Sequence, residues 1–489
     1  MGLAFKTLRQ HQQDVNEIQE RFKLLQKSDS NHLKSLDRSS NKSHMMRGSS
    51  VYRKWRNELG LDVLNSVIEI DPYGMKVIVE PQVPMDELTR LTLQERVIVP
   101  VVPEFKGITV GGAINGTAIE SSSFRYGLFH DVCLAYHLLL GDGSILRVTP
   151  DDHPELFHGV SGSFGSLGIL LLVELKVIPA LPDVNLTYHP CASIHEGLKK
   201  IQELSQSFNP PEFIEGIVFA KNALTIIEGR WLVEENHFPQ LNLSVPWSPW
   251  YYAHVRQASL EKGCKYEKMS TYDYIFRHDT GAFWMAAYGL HNELLVRYYL
   301  EGRLGLSELS QKLFGSLDFN KFASLKDPSI FTRTFLNWKL PSRKLYQMLH
   351  ADTEKWFEER FIIQDYFIPM RNTQEFVEWI MDFAGIFPLW LCPVKAASSP
   401  QILAPHIGND SFYVDVGVYG LPQNAQTLLK INREIEQKMD LLQGRKMLYS
   451  YCYYTEDEFW KVYPKVCYNQ LRHRYFANDV WASIEQKVL

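Results

Sequence analysis

A run of glycines and small hydroxyl residues at positions 111–127 is the part of this sequence best suited to holding a ligand. It reads Gly-Gly-Ala-Ile-Asn-Gly-Thr-Ala-Ile-Glu-Ser-Ser-Ser from residue 111 and continues to Tyr126 and Gly127. So little side-chain bulk lets a ligand lie against the backbone, where N–H groups and hydroxyls can donate to phosphates or to a polar ring edge. The spacing is neither that of a Walker loop nor that of a strand-GxGxxG-helix fingerprint. The run therefore indicates a nucleotide site in some other fold, with a glycine-rich strand and turn as the structural alternative.

A second loop of glycine and serine, at residues 162–168, follows a predicted hairpin. Residues 131–140 form a mostly apolar stretch of strand length, a Gly-Asp-Gly turn comes next, and residues 144–148 read as the returning strand. The second loop leads directly into a further apolar strand at residues 169–173. Two small-residue loops on either side of one hairpin predict a cradle with two walls.

These motifs, in this order, resemble the FAD-binding domain of the p-cresol methylhydroxylase/vanillyl-alcohol oxidase superfamily. Within it, residues 108–131 are similar to the Δ24-sterol reductase (Diminuto/Seladin) family, and collinear motifs continue the likeness from about residue 10 to about residue 475. The later motifs are Phe213-Ile214-Glu215-Gly216, Arg277-His278, Phe283-Trp284, Gln364-Asp365, Ile368-Pro369, Pro388-Leu389-Trp390-Leu391-Cys392-Pro393, Val414-Asp415-Val416-Gly417 and Glu458-Phe459-Trp460. Several collinear motifs are harder to match by accident than one glycine pattern, so the chain is identified as a member of this family.

The resemblance implies an α+β fold, in which a two-subdomain FAD-binding domain of the p-cresol methylhydroxylase (PCMH) type is followed by an α+β cap domain. We expect the FAD-binding domain, with an N-terminal helix, at residues 1–180 and the cap or substrate domain at residues 181–489. A proline-rich break at residues 179–182 precedes a strongly aromatic part of the chain, which supports this boundary. Whether the C-terminal segment packs back on the flavin domain is left open.

The early part of the chain also predicts individual elements. Residues 67–70 and 75–80 read as strands around a turn, and residues 84–92 read as a short helix. Nearer the N-terminus, four apolar residues recur at helical spacing and predict a helix docked on its own domain, with a membrane-surface helix as the alternative. They are Val15, Ile18, Phe22 and Leu25.

The resemblance places FAD against the glycine loops without a covalent bond. Further phosphate donors would come from residues 38–44, a loop without glycine that offers serine, asparagine and backbone donors beside the charges of Arg38 and Lys42. A polar surface loop is the alternative there, and His44 stands where some superfamily members attach flavin, a link that the reductase family generally lacks. The candidate cofactor-binding residues are Arg38, Ser39, Ser40, Asn41, Ser43, Thr109, Val110, Gly111, Gly112, Ala113, Ile114, Asn115, Gly116, Thr117, Ala118, Ile119, Glu120, Ser121, Ser122, Tyr126, Gly127, Gly165, Gly168 and Ile169.

The chemistry that the resemblance implies is reduction of an isolated C=C bond in a sterol side chain, with NADPH as a second cofactor. Such an alkene is a poor hydride acceptor, so a general acid must protonate one carbon in a site shielded from water. The catalytic candidates are His278, Arg277, Tyr274 and Asp365, with Glu215 as a further carboxylate. For each one, a structural ion pair or cofactor anchor is the alternative.

A long apolar slot for sterol rings would need aromatic and aliphatic walls. Phe283, Trp284, Trp390 and Cys392 are the candidates for this substrate pocket, although aromatic clusters are more often core. The family usually reads Arg-His-Thr-Arg where this chain reads Arg-His-Asp-Thr at residues 277–280. The second arginine is therefore missing, which bears on the choice of cofactor.

Bulk composition is that of a globular enzyme. Apolar residues make up 45% of the chain and charged residues 22%. The net charge of −5 and the lack of a basic stripe give no reason to expect a nucleic-acid partner. Six scattered cysteines without a C-x-x-C pair favour reduced thiols in the cytoplasm over a disulfide framework or a metal site, and no metal is expected.

The sequence also bears on location and partners. Residues 1–30 show neither a signal peptide nor a spanning helix, so the anchor usual in the family, and with it an integral place in the endoplasmic reticulum membrane, is not expected. Peripheral contact with that membrane and a homodimer are both left open.

Three function classes follow from these observations. The first is an FAD-dependent Δ24-sterol reductase that uses NADPH. The second is a flavin oxidase or dehydrogenase of another apolar substrate, which would consume oxygen. The third is a non-catalytic sterol-binding relative that has lost flavin, which would be colourless.

Overall fold

The computed structural model describes residues 5–28, 59–234, 237–261, 263–316, 325–350, 356–396, 402–406, 410–424 and 426–489. Within them, the strands are β1 (Val67–Asp71), β2 (Lys76–Val79), β3 (Val97–Ile98), β4 (Cys133–Leu139), β5 (Ile145–Val148), β6 (Ile169–Lys176), β7 (Ile178–Pro179), β8 (Asp183–Cys191), β9 (Phe213–Ala220), β10 (Ala223–Trp231), β11 (Gln240–Leu241), β12 (Lys265–Ser270), β13 (Ile362–Pro369), β14 (Leu389–Lys395), β15 (Phe412–Gly420) and β16 (Arg445–Lys446).

The α-helices of the described residues are α1 (Leu8–Ser28), α2 (Met85–Gln94), α3 (Val110–Gly116), α4 (Ser123–Tyr126), α5 (Pro154–Val160), α6 (Ile194–Ser205), α7 (Tyr251–Ala258), α8 (Thr271–Ile275), α9 (Asn292–Arg297), α10 (Ser307–Phe314), α11 (Ile330–Leu336), α12 (Ser342–His350), α13 (Met370–Ala384), α14 (Leu428–Leu441), α15 (Glu456–Val462), α16 (Lys465–Arg474) and α17 (Ile484–Val488). Short 3-10 or π turns lie at Leu61–Val63, Phe129–Val132, Met285–Leu290, Tyr298–Arg303 and Asn337–Lys339. The fold is α+β, as the sequence predicted.

The first half of the chain forms a five-stranded antiparallel sheet in the order β1-β2-β6-β4-β5. The predicted strands around residues 67–80, the predicted hairpin and the strand after the second loop are all confirmed as members of this sheet. Strand β6 is apolar and buried for most of its length because it lies between two neighbours in the interior of the sheet.

The second half forms a nine-stranded sheet in the order β11-β12-β8-β10-β9-β14-β15-β13-β16. Its pairs are antiparallel except β11 with β12. The central strands β9, β14 and β15 are buried almost throughout because α6 packs beside β9, α13 packs beside β15 and α4 of the first half contacts β14. Each sheet draws its strands from one side of residues 180–182, while the domain boundary itself stays a prediction.

The glycine run begins with a helix, α3, rather than the strand and turn that composition suggested. Glycine is a poor helix former, so propensity hid this element. The side chain of Thr109 caps the helix by accepting from the Gly112 amide at 3.2 Å. Thr117 ends it in the left-handed region at φ 55°.

Both chain ends pack on the five-stranded sheet and its loops. Val15, Ile18 and Phe22 of α1 are buried against a cluster that includes Leu139 and Trp481, so the docked-helix prediction is confirmed. At the other end, α16 contacts α5. Among the described residues, no helix combines the length and the apolar character needed to cross a bilayer.

Candidate active site

A cavity of about 540 Å³ lies between the two glycine loops and the nine-stranded sheet. Part of its wall is backbone and small side chains from the predicted cradle. The predicted cofactor residues that line it are Thr109, Gly111, Gly112, Ala113, Asn115, Gly116, Ala118, Ile119, Gly165, Gly168 and Ile169. The structure thus brings the two loops together on one cavity.

The amides at the start of α3 are already used inside the protein. Gly111 N donates to Pro81 O at 2.8 Å and Val110 N donates to Val83 O at 2.9 Å. Gly112 N donates to the capping hydroxyl of Thr109. The first glycines of the run therefore let α3 pack closely on the neighbouring backbone. Their amides do not supply the phosphate donors that the sequence suggested.

Asn115 joins the two walls of the cradle. Its amide nitrogen donates to Gly111 O at 2.7 Å, and its Oδ1 accepts from the Gly165 amide at 3.0 Å. Both bonds are buried, where a hydrogen bond fixes geometry and losing one partner is costly. Asn115 therefore holds the two glycine loops at a fixed separation. A flat group would lie in the gap between these loops.

The cradle fits a flavin nucleotide. A Cβ built at Gly116 would have no protein atom within 4 Å, although Gly116 lines the cavity, so the space in front of it is open. At Gly111, by contrast, a Cβ would meet Pro81 at 3.0 Å. The glycines thus do two things, since some let the protein pack on itself and others leave room for a ligand.

Several predicted cofactor residues lie outside the lining of this cavity, namely Val110, Ile114, Thr117, Glu120, Ser121, Ser122, Tyr126 and Gly127. Some of these instead attach the glycine run to the nine-stranded sheet. Ser121 O accepts from Ile214 N at 2.8 Å, and its hydroxyl lies 3.0 Å from Tyr274 Oη. The predicted residues Arg38, Ser39, Ser40, Asn41 and Ser43 lie outside the described residues, so their cofactor role stays a prediction.

Arg277 is the centre of a fully buried ion-pair network. Its Nε donates to Glu215 Oε1 at 2.6 Å and its Nη2 donates to Glu120 Oε1 at 2.8 Å. The guanidinium also lies 4.2 Å from the ring centroid of Tyr274. Because Glu120 belongs to the glycine run, this arginine clamps the first half of the chain to the second. Neither Arg277 nor Tyr274 lines the cavity.

Glu215 and His278 form the second part of this network. Burial opposes ionisation of Glu215, but the charge of Arg277 and its hydrogen bonds hold the pKa of Glu215 well below its usual range. Burial lowers the pKa of His278 to about 4, so His278 is neutral at pH 7 and donates from Nε2 to Glu215 Oε2 at 2.9 Å. Trp390 Nε1 donates to the same oxygen at 2.8 Å. His278 stacks on Phe283 with centroids 4.1 Å apart and does not itself line the cavity.

Asp365 is the catalytic candidate that the structure places on the cavity wall. It accepts a hydrogen bond from the Tyr419 hydroxyl, and Tyr449 also hydrogen-bonds to it. Burial raises the pKa of Asp365, and burial together with the nearby charge of Asp365 raises the pKa of Asp415 well above its usual range. Asp365 and Asp415 are therefore a buried pair that retains a proton.

A second carboxyl, Glu104, lines the same cavity. Burial and the charge of Glu120 raise the pKa of Glu104 well above its usual range. No sequence motif indicated Glu104, Tyr419 or Tyr449, because each comes from a different segment and no local pattern links them to Asp365. The pairing of β13 with β15 sets Asp365 opposite Gly417, two residues from Tyr419.

The rest of the cavity wall is apolar. Of the predicted pocket residues, Phe283 and Trp390 line it, whereas Trp284 and Cys392 are buried outside the lining. Much of the apolar wall comes from residues 285–299, 336–349 and 356–363, which no sequence motif indicated. These segments contribute leucines, methionines, tyrosines and a tryptophan, so their end of the cavity suits a hydrophobic ligand.

Thr280 stands where the family usually has a second arginine, and it does not line the cavity. Asp279 Oδ1 accepts from Lys106 N at 3.0 Å and from Ser342 Oγ at 2.6 Å, and Thr280 pairs with Pro341 in an isolated bridge. Neither residue lines the cavity. No metal-binding group of three His, Cys, Asp or Glu side chains occurs in the part of the chain that the structure covers.

Comparisons with known proteins find an FAD binding domain and similarity to Δ24-sterol reductases. A family profile described as an FAD binding domain matches residues 23–149. The chain is 28% identical to the Δ24-sterol reductase of Homo sapiens over 447 residues, which cover 89% of this chain and 78% of the human protein. It is also 28% identical to the Δ24-sterol reductase of Pisum sativum over 483 residues (90% and 78% of the two chains) and 26% identical to a Δ24-sterol reductase homolog of Caenorhabditis elegans over 457 residues (90% and 80%).

Proposed function

We propose that this chain, which belongs to the Δ24-sterol reductase family, reduces the side-chain Δ24 C=C bond of a desmosterol-like sterol with NADPH as the electron donor. The FAD binding domain and the relatives make it an FAD-dependent oxidoreductase. The proposal adds three points to those findings. They are that the Δ24 bond is the one reduced, that NADPH is the electron donor and that FAD is held without a covalent bond.

One observation carries this proposal: a single cavity runs from the glycine cradle to an apolar wall, with Asp365 on its lining. The cradle supplies a surface of backbone and open space for a flat nucleotide at Gly116 and Gly165. The wall supplies burial for a hydrophobic ligand, which is the main source of affinity for such a molecule. A reductase of an unactivated alkene needs both, with a proton donor in reach.

In the reaction the alkene gains one hydride and one proton while NADPH becomes NADP⁺, so two electrons and two hydrogens are accounted for. Bound FAD supplies the hydride chemistry. The residues of this chain supply the rest: the cradle orients the ring system, and the apolar wall excludes water. A carboxyl group on the lining holds the proton.

Asp365 is the acid in this proposal. Its raised pKa keeps it protonated to higher pH than an ordinary aspartate, and because Asp365 and Asp415 are coupled, their protonation steps belong to the pair rather than to either carboxyl alone. Arg277 and His278 are then positioning residues, because both hold Glu215 and His278 stacks on the ring of Phe283, which lines the cavity. A neutral histidine with a pKa of about 4 is also a poor store of a proton at pH 7.

The visible absorption spectrum of the purified chain, before and after denaturation, tests the cofactor part of this proposal. We expect flavin bands that leave with the small-molecule fraction as free FAD. A folded protein that is colourless and stays so after incubation with FAD would overturn the reductase assignment.

A further inference from the structure

The helices that line the apolar end of the cavity also carry an unusual amount of exposed hydrophobic surface. Thirteen of the thirty exposed large hydrophobic side chains of the described residues lie between residues 295 and 348. We call the exposed large hydrophobic side chains of residues 295–313 and 330–348 the apolar face. Single exposed hydrophobic residues are ordinary, but a contiguous group marks a binding surface.

Helix α11 shows that this face does not serve the protein's own core. It reads Ile-Phe-Thr-Arg-Thr-Phe-Leu from residue 330, yet none of its residues is buried. Phe331 is 73% exposed, Phe335 67% and the nearby Trp338 62%. Phe331 and Phe335 are four residues apart and so lie on one side of the helix. A seven-residue helix without buried contacts gains little stability from its own chain.

The apolar face surrounds an opening of the cavity. Leu295, Tyr299, Leu336 and Met348 line the cavity and are also exposed. A hydrogen bond between the Tyr298 hydroxyl and Met348 O at 3.4 Å holds the two segments of the face together. Whatever covers the face therefore also covers the route into the apolar end of the cavity.

The charge near the face is positive, although the chain as a whole carries −5. Residues 325–350 contain five basic side chains and one acidic side chain, Asp327, which pairs with Arg256. Two of the five, Lys339 and Lys344, place their Nζ atoms 4.9 Å from the ring centroid of Trp338. Aromatic side chains flanked by lysine and arginine are typical of elements that lie in a membrane interface with anionic lipid.

We propose that the apolar face docks on the surface of an anionic phospholipid bilayer and opens the cavity toward the lipid. This inference extends the proposed function, because a sterol dissolved in a bilayer would enter through this opening without crossing water. Phe331, Phe335 and Trp338 enter the interface, while neighbouring lysines and arginines bind lipid headgroups. A bilayer fits better than a second copy of the chain, because the copy brings a net charge of −5 but no matching acidic patch among these helices.

The test is co-sedimentation of the full chain with vesicles of phosphatidylcholine alone and with about 30% phosphatidylserine, without substrate or NADPH. We expect binding to the anionic vesicles and a loss of at least about tenfold in the triple variant Phe331→Ser/Phe335→Ser/Trp338→Ser, none of whose residues lines the cavity. The matched control removes three exposed hydrophobic side chains elsewhere, in Phe208→Ser/Leu260→Ser/Val466→Ser, and should bind as the unaltered chain does.

A charge variant separates the electrostatic part of the binding. Arg333→Gln/Lys344→Gln should weaken binding to anionic vesicles by about tenfold and change binding to neutral vesicles little. Circular dichroism and the melting temperature of each variant show whether it folds. Because binding is measured without turnover, failure of the reductase assignment leaves this test intact.

Three outcomes would overturn the docking proposal. The first is failure of the unaltered chain to sediment with either vesicle, and the second is an equal loss of binding in the two triple variants. The third is a dimer in analytical ultracentrifugation that becomes a monomer only in the Phe331→Ser/Phe335→Ser/Trp338→Ser variant, with no vesicle binding, which would assign the face to a second copy of the chain.

Discussion

Replacing Asp365 with asparagine should slow the protonation of the alkene while leaving the rest of the site in place. Asparagine keeps the shape of the side chain and can still accept a hydrogen bond from Tyr419. It cannot give up a proton as a carboxylic acid does. The change therefore removes one chemical property and little else.

The size of the effect follows from what remains around the site. A positioned general acid contributes about 10²–10⁴-fold, or about 3–5 kcal/mol of barrier. Tyr419 and Tyr449 also line the cavity and could donate in place of Asp365, although burial raises the pKa of both hydroxyls well above the usual range. We therefore expect a loss near the lower limit, about 100-fold.

Anaerobic stopped-flow absorbance separates the two half-reactions. Reduction of the flavin by NADPH should be unchanged in Asp365→Asn, because that step takes no proton from this carboxyl. Reoxidation by the sterol should be slowed about 100-fold. The matched control is Asp279→Asn, which alters another buried carboxyl that does not line the cavity and should have a much smaller effect.

The pH profile gives an independent readout. The raised pKa of Asp365 means that the protonated form is lost only as pH rises through that value. Reoxidation by sterol should then decline on the alkaline side in the unaltered chain and show no such decline in Asp365→Asn. A variant within about threefold of the unaltered rate, with the same pH profile, would refute the role of Asp365.

Three further predictions concern the framework. Arg277→Met leaves Glu120 and Glu215 buried without their cation and should lower the free energy of unfolding, measured by urea titration, by about 3–5 kcal/mol. The control Arg230→Met removes a partly exposed ion pair and should lower it by less than about 1 kcal/mol. Gly116→Ala should fold normally and bind FAD at least about tenfold more weakly by fluorescence titration, since its methyl group enters the cradle; equal affinity would contradict the placement of the cofactor. The unfolded chain releases the proton of Asp415 near about pH 4 while the folded chain holds it to higher pH, so the stabilising contribution of Asp415 should fall as pH rises above about 4. The melting temperature of the unaltered chain should therefore fall relative to that of Asp415→Asn over this pH range.

Much of the framework could be predicted from the sequence because it is encoded locally. The apolar stripe of α1 and the hairpin of β4 and β5 are periodic patterns with clear turn signals, and both formed as expected. Helix α3 was missed because its glycines have no helical preference of their own. Its contacts with Pro81 come from tertiary structure.

The site itself was predictable only in part. Asp365, Phe283 and Trp390 were found because they lie in recognisable motifs, and all three line the cavity. The proton-bearing group around Asp365 was not found, since Glu104 and Tyr449 are far apart in sequence and meet only in the fold. The apolar end was missed for a related reason, because no sequence motif marks residues 285–299, 336–349 and 356–363, which supply much of its lining.

The most direct test of the central claim is anaerobic incubation of the flavin-loaded chain, first with NADPH and then with a sterol that carries a Δ24 double bond, in detergent micelles. We expect NADPH to bleach the flavin absorbance and the sterol to restore it, with one equivalent of the Δ24-saturated sterol detected by mass spectrometry. In D₂O, that product should carry deuterium at the protonated carbon. A flavin that is reduced by NADPH but reoxidised only when oxygen is admitted, with the sterol recovered unchanged, would contradict the account.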